Sequence, residues 1–148
     1  MRQTKFYLIS VLVFLFTLNA ACSQERDGSA VGNAEQSSPS SEGSVLVTFD
    51  LNIDFSKHKV TFIELGADRC VPCKAMQPIM KEIAEEYAGK IQVVFYDVWK
   101  DPRPARHYRI QLIPTQVFID QNGEEIFRHV GFFPKEEILQ MLKEKRIL

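Results

Sequence analysis

Cys70-Val71-Pro72-Cys73 is the stretch of this 148-residue chain in which residue type and spacing together specify a reaction. Two thiols three residues apart at the start of a helix stand about one turn from each other. The unpaired first-turn N–H groups and the helix dipole favour an anion at that end, so Cys70 is expected to be stabilised as thiolate. The thiolate is the nucleophile of disulfide exchange. Cys73, one turn further in, lies within disulfide reach but is shielded by the helix. Cys70 is therefore expected to attack and Cys73 to resolve. Pro72 suits a first turn, where its missing N–H had no helical partner. A zinc site would need two more ligands, and His58, His107 and His129 are scattered without ligand spacing, so no metal is expected. A purely structural disulfide stays open as a reading, although a bridge closing so short a loop adds little stability in the chain-entropy picture.

That pair needs a strand before it and a helix behind it. Lys59 to Leu65 (KVTFIEL) reads as a buried strand. Cys70 to Ala88 reads as a helix, with Met76, Ile79, Met80, Ile83, Ala84 and Tyr87 at helical spacing, Gly89 closing it and Pro78 kinking it. Val45 to Phe49 and Ile91 to Tyr96 are further strands, and Asp101 to Tyr108 is a short helix. Thr115 to Ile119 and Glu125 to Val130 flank the turn signal Gln121-Asn122-Gly123 and make a hairpin. Pro134 to Lys145 is a last amphipathic helix, with Ile138, Leu139, Met141 and Leu142 apolar. The order β-β-α-β-α-β-β-α predicts an α/β fold, a mixed central sheet flanked by helices. Trp99, after the third strand, is expected to be a packing residue.

The chain around this domain has a different character. Arg2 and Lys5, the apolar run Phe6 to Phe16 and small residues up to Ala21 form a secretory signal, residues 1–21. An uncleaved anchor is the alternative. Cys22 follows Ala20-Ala21 and resembles the lipidated cysteine of bacterial lipoproteins, although Asn19 stands where their motif has Leu. An ordinary cleaved signal with a spare cysteine is the other reading. Residues 22–44, rich in Ser, Gly, Glu and Gln, bury too little apolar surface to fold and read as a tether. Residues 45–148 are the folded domain. Hydrophobic residues make up 45% of the chain and charged ones 25%, which excludes a wholly disordered or coiled-coil protein. A net charge of -1 offers no electrostatic case for nucleic acid. Three cysteines are too few for a disulfide-stapled scaffold.

With the elements in place, residues 45–148 resemble the thioredoxin superfamily. The resemblance rests on Cys70-Val71-Pro72-Cys73-Lys74 with Pro78, on Tyr108-Arg109-Ile110 leading into Ile113-Pro114-Thr115, and on Val130-Gly131 before the last helix. It implies a cis Pro114, with Ile113 and Thr115 beside Cys70 and open to strand addition by an extended substrate. It implies that Gly131 adjoins the site. It also implies that Glu64, six residues before Cys70, is a buried acid able to relay a proton to or from Cys73; a satisfied buried polar group is the plainer alternative. Arg69 stands where relatives carry Trp, and either favours the Cys70 thiolate or is a solvated charge. Val71 stands where they carry Gly, giving a bulkier, more apolar rim. Arg69, Val71, Pro72, Ile113, Pro114, Thr115 and Gly131 are thus the expected substrate-contacting residues.

Signal, tether and such a domain together resemble the membrane-tethered reductases of the bacterial cell envelope. The expectation is an exported, monomeric thiol:disulfide oxidoreductase that reduces exported proteins, draws electrons from a membrane donor and requires no cofactor. Apocytochrome c maturation is one task the resemblance suggests. A copper(I)-handling protein or an assembly module using the fold only as a surface are the alternatives.

Overall fold

The computed structural model of the protein describes residues 42–148. The segment 1–21 expected to be a signal, Cys22 and the expected tether up to residue 41 lie outside the described residues. Five strands form one sheet: β1 (Val45–Val47), β2 (Val60–Gly66), β3 (Ile91–Asp97), β4 (Thr115–Asp120) and β5 (Glu125–Val130). Among the described residues three α-helices accompany them: α1 (Val71–Glu86), α2 (Arg103–His107) and α3 (Lys135–Glu144). A 3-10 turn, Phe55–Lys57, precedes β2. The spatial order is β1-β3-β2-β4-β5. β3 runs parallel to β1 and β2, whereas β4 is antiparallel to both β2 and β5. The sheet is mixed and flanked by helices, as the order of elements predicts.

β2 lies at the centre and is buried along its whole length, so its side chains divide between two cores by simple alternation. Val60 and Phe62 pack with Met76, Met80 and Ile83 of α1 and Ile138, Met141 and Leu142 of α3. Ile63 and Leu65 point the other way, toward Tyr96, Val117, Ile119 and Tyr108. Phe62 and Phe118 stack at 4.8 Å between ring centroids across the β2–β4 pair. Met76, Met80, Ile83 and Ala84 of α1's apolar stripe are buried, and the stripe holds α1 against the sheet with its N-terminus at the C-terminal end of β2. The helix runs through Pro78, whose ring is exposed. Gly89, at φ +75°, turns the chain away from α1 toward β3.

Two local expectations need correction. β1 stops at Val47 and does not reach Phe49. The Thr48 hydroxyl takes the Asp50 N–H at 3.0 Å, and the Asp50 carboxylate takes the Asn52 N–H at 2.9 Å. These side-chain bonds compete with the sheet for the backbone. Trp99 is not a packing residue; it is 62% exposed. The Asp97 carboxylate receives the N–H groups of Trp99 and Lys100 at 3.1 and 3.2 Å, which curls the chain as it leaves β3. Tyr96 and Val98 occupy the core there, and the indole is left on the rim.

Candidate active site

The end of β2 and the start of α1 are joined by a short loop, Ala67 to Cys70, and the two cysteines follow at once. Cys70 is the N-cap of α1, with extended backbone dihedrals, and its N–H bonds the Ala67 carbonyl at 3.2 Å. Its sulfur accepts the N–H of Cys73 at 3.4 Å, the bond an N-cap side chain makes to the helix. Cys70 and Cys73 are joined as a disulfide, their Cα atoms 5.2 Å apart. The two sulfurs differ in access. Cys70 is half-exposed, while Cys73 is 1% exposed. Val71 and Pro72, the first residues of α1, face outward between the two cysteines, with Val71 79% exposed. Arg69 is also exposed and enters no ion pair among the described residues.

Room for Cys73 is made by Gly66. A Cβ on that glycine would stand 3.3 Å from Cys73 Sγ, 3.2 Å from Cys73 Cβ and 3.2 Å from the Phe95 ring. A glycine inside a strand marks a close approach of this kind, and it is a site residue that the sequence reading passed over. Two positions earlier on the same face of β2 stands Glu64, with no exposed surface. Strand register puts Phe95 beside it on β3 and Gln116 beside it on β4. Gln116 Nε2 donates to Glu64 Oε2 at 2.9 Å. Burial pushes the Glu64 carboxyl up to about 8, against the weaker downward pull of that hydrogen bond.

The other wall of the site comes from the loop before β4. The Ile113–Pro114 peptide is cis. Thr115 pairs with Leu65 across the β2–β4 ladder, which sets Pro114 level with the Gly66 end of β2. The Thr115 hydroxyl donates to the Leu112 carbonyl at 2.7 Å, and the Gly131 N–H donates to the Pro114 carbonyl at 2.8 Å. Gly131 has φ +100°, a conformation that costs side-chain-bearing residues and suits glycine. Gln116 Nε2 also reaches the Gly131 carbonyl at 3.1 Å. One buried amide therefore links Glu64 to the Pro114–Gly131 wall. Around these loops the surface is apolar: Leu112, Val130 and Phe132 are 66%, 51% and 46% exposed.

On the remaining edge Asp68, Asp97 and Lys100 are paired with one another. Lys100 Nζ bonds the Asp68 carboxylate and stands 3.2 Å from that of Asp97. Asp97 also receives the N–H of Asp68 at 3.4 Å, and these donors hold its carboxyl below the usual range although burial opposes them. The clip ties the loop carrying Asp68 and Arg69 to the turn after β3. Asp68 and Lys100 lie 32 residues apart, and the parallel β2–β3 register brings them together. Among the described residues no three His, Cys, Asp or Glu side chains gather as a metal ion would require.

The arrangement can carry out disulfide exchange: a half-exposed sulfur on a helix N-terminus, a buried partner and a buried acid on the strand beneath. Comparison with known proteins points the same way. The family described as Thioredoxin matches residues 44–144. A thioredoxin of Staphylococcus epidermidis is 35% identical over 83 residues, 56% of this chain and 79% of that protein. One from Staphylococcus aureus is 34% identical over the same length. Among solved structures, chloroplastic thioredoxin z superposes with a TM-score of 0.63 at 26% identity, covering 70% of this chain and 95% of that one. A point mutant of the thioredoxin from Halobacterium salinarum NRC-1 shares the fold, with a TM-score of 0.62 at 23% identity over 72% of this chain and 95% of its own. Sequence match, sheet order and the joined cysteine pair agree, and the chain belongs to the thioredoxin family as a thiol:disulfide oxidoreductase.

Proposed function

We propose that the protein is an exported bacterial reductase of protein disulfides, tethered to the membrane through Cys22. The asymmetry of the cysteine pair carries the chemical part of this reading. Cys70 alone offers a sulfur to a protein-sized partner, and Cys73 at 1% exposure is placed to act only on what Cys70 has captured. The dithiol gives two electrons to the substrate disulfide. Cys70 thiolate attacks, a mixed disulfide forms and one substrate thiol leaves; Cys73 then closes on Cys70 and releases the second. Glu64 takes the Cys73 proton as that step begins, a task for which a carboxyl titrating near 8 is suited. Ile113 supports the binding mode: its N–H and carbonyl enter no backbone hydrogen bond among the described residues, so an extended substrate segment can pair there. The apolar Val71, Leu112, Val130 and Phe132 around it suit a partly unfolded polypeptide.

Direction and place rest on the sequence. Pro72 in the second central position resembles reducing members of the family. Arg2, Lys5, the run Phe6 to Phe16 and Ala20-Ala21-Cys22 support export and lipidation, with the Ser-rich segment as spacer. A reductase outside the cytoplasm needs a membrane electron donor, because disulfides persist there. Apocytochrome c is a candidate substrate.

The test is a trap. Cys73→Ser should hold substrates on Cys70 as mixed disulfides, captured from cells and identified after reduction. Exported disulfide proteins on Cys70 are the expected outcome, and the absence of any adduct that depends on Cys70 would overturn the reading. Labelled fatty acid should enter the wild-type chain and not Cys22→Ser; labelling of neither would remove the lipid tether and leave the redox reading standing.

A further inference from the structure

The Gln116 amide is the structural joint between the acid and the substrate wall. Both of its N–H bonds are used, one on Glu64 Oε2 at 2.9 Å and one on the Gly131 carbonyl at 3.1 Å. Gly131 in turn holds the Pro114 carbonyl. Gln116 has no exposed surface, so its orientation is set by these partners. Glu64 Oε1 is buried and has no hydrogen-bond partner among the described residues. The carboxyl is thus gripped by one oxygen and offers the other. We propose that Gln116 is a positioning residue for the resolving step: it presents Glu64 Oε1 toward Cys73 and sets the pH at which the mixed disulfide is released.

This rests on the role given to Glu64 above. In the step, the Cys73 thiol passes its proton to Glu64 Oε1. The thiolate attacks the Cys70 sulfur, the Cys70–Cys73 bond forms and the bond from Cys70 to the substrate breaks. The electron pair leaves with the substrate sulfur, which takes a proton from Glu64 or water. The dithiol is oxidised by two electrons and the substrate disulfide reduced by two.

Other titratable groups on this side of the sheet are few. Cys73 faces from α1. Asp97 ends β3 with Lys100 on its carboxylate. His129 pairs with Gln116 across the β4–β5 ladder and stacks on Phe133 at 4.2 Å. Glu64 is shifted by burial and by Gln116, with none of these charges as a cause. A donor on a carboxylate favours its ionised form. Removing the Gln116 donor should therefore raise the pH at which Glu64 ionises.

Single-turnover reduction of a peptide disulfide by the reduced full chain, followed by acid quench across pH 5 to 10, resolves formation and decay of the mixed disulfide. The proteins compared are wild type, Gln116→Met, Glu64→Gln and the double variant. Carbon-13 titration of the Glu64 carboxyl is followed in parallel. Gln116→Met should move the decay midpoint and the Glu64 titration upward together by about 1 pH unit. It should slow decay at neutral pH by roughly fivefold, and it should add no further pH shift once Glu64 is Gln. Gln116→Asn keeps the core polar but is too short to span both partners; it should shift the midpoint in the same direction and serves if Met at 116 fails to fold. An unmoved midpoint in both Gln116 variants, with Glu64→Gln slow, would overturn the role of Gln116 alone. Wild-type decay in Glu64→Gln would instead remove the acid's role and this inference with it.

Discussion

A half-exposed Cys70 beside a buried Cys73 separates two thiols of identical chemistry by their surroundings. After reduction, a limiting amount of alkylating agent should label Cys70 first, as peptide mass mapping would reveal; preferential labelling of Cys73 would reverse the assignment. The buried acid makes a second prediction at this scale. Burial raises the Glu64 carboxyl to about 8 from an ordinary 4.5. Between those values the folded protein holds a proton that the unfolded chain has released. The stability this contributes is complete below about 4.5 and is lost as pH rises through about 8, with a slope of at most about 1.4 kcal/mol per pH unit. Denaturant unfolding should show that fall for wild type and a flatter profile for Glu64→Gln; identical profiles would mean that Glu64 ionises as it does in water. The cysteines were legible from spacing within one segment, and Glu64 from the resemblance to the thioredoxin superfamily. Gln116 was not, because its meaning lies in a partner 52 residues away. A lone Gln in the apolar run Thr115 to Ile119 was the available signal.

Elements set these residues to within a bond length, and Gly66 displays the tolerance. It ends β2 where α1 begins, and a methyl group there would press on Cys73 and Phe95 at 3.2 to 3.3 Å. Both neighbours are buried side chains with little space to yield. Gly66→Ala should cost about 1 kcal/mol or more, in the range of overpacked cores, seen as a lower denaturant midpoint with an unchanged slope. An unaffected midpoint would show that the helix start can slide. Helix and strand identities followed from periodicity, since β2 is apolar throughout and α1 carries its stripe at helical spacing. Their ends followed less well. Cys70 caps α1 as its place at the helix start implies, but α1 ends at Glu86 and not at Ala88, and β1 stops at Val47 ahead of the side-chain bonds to the Asp50 and Asn52 N–H groups, which no periodicity encodes. The α1–α3 contact is closed at its edge by Lys135, which reaches Glu82 and Glu86 at 2.9 and 2.6 Å. That pairing crosses two elements and is invisible in a linear reading.

At the scale of the whole molecule the sheet gathers distant segments at one end. β2 delivers the cysteines, β4 the Pro114 wall and β3 the turn with Trp99 and Lys100, all through pairings of high sequence separation. Mixed topology was legible because strands alternate with helices until the terminal hairpin; the order in space was not, since it depends on which edges pair. The net charge of -1 leaves partner choice to shape and local chemistry more than to long-range steering. Trp99 has a consequence of a different kind. It is the sole tryptophan of the chain, 62% exposed, on a turn clipped by Lys100 to the loop that leads into Cys70. The protein therefore carries its single indole fluorophore at the mouth of its own site. Its emission should already sit near that of tryptophan in water and shift little on unfolding, so it would be a poor gauge of folding. A polypeptide settling over Cys70 would cover the indole and move the emission to shorter wavelength, which makes an unlabelled titration of the Cys73→Ser protein with disulfide-containing peptides a direct optical assay of capture.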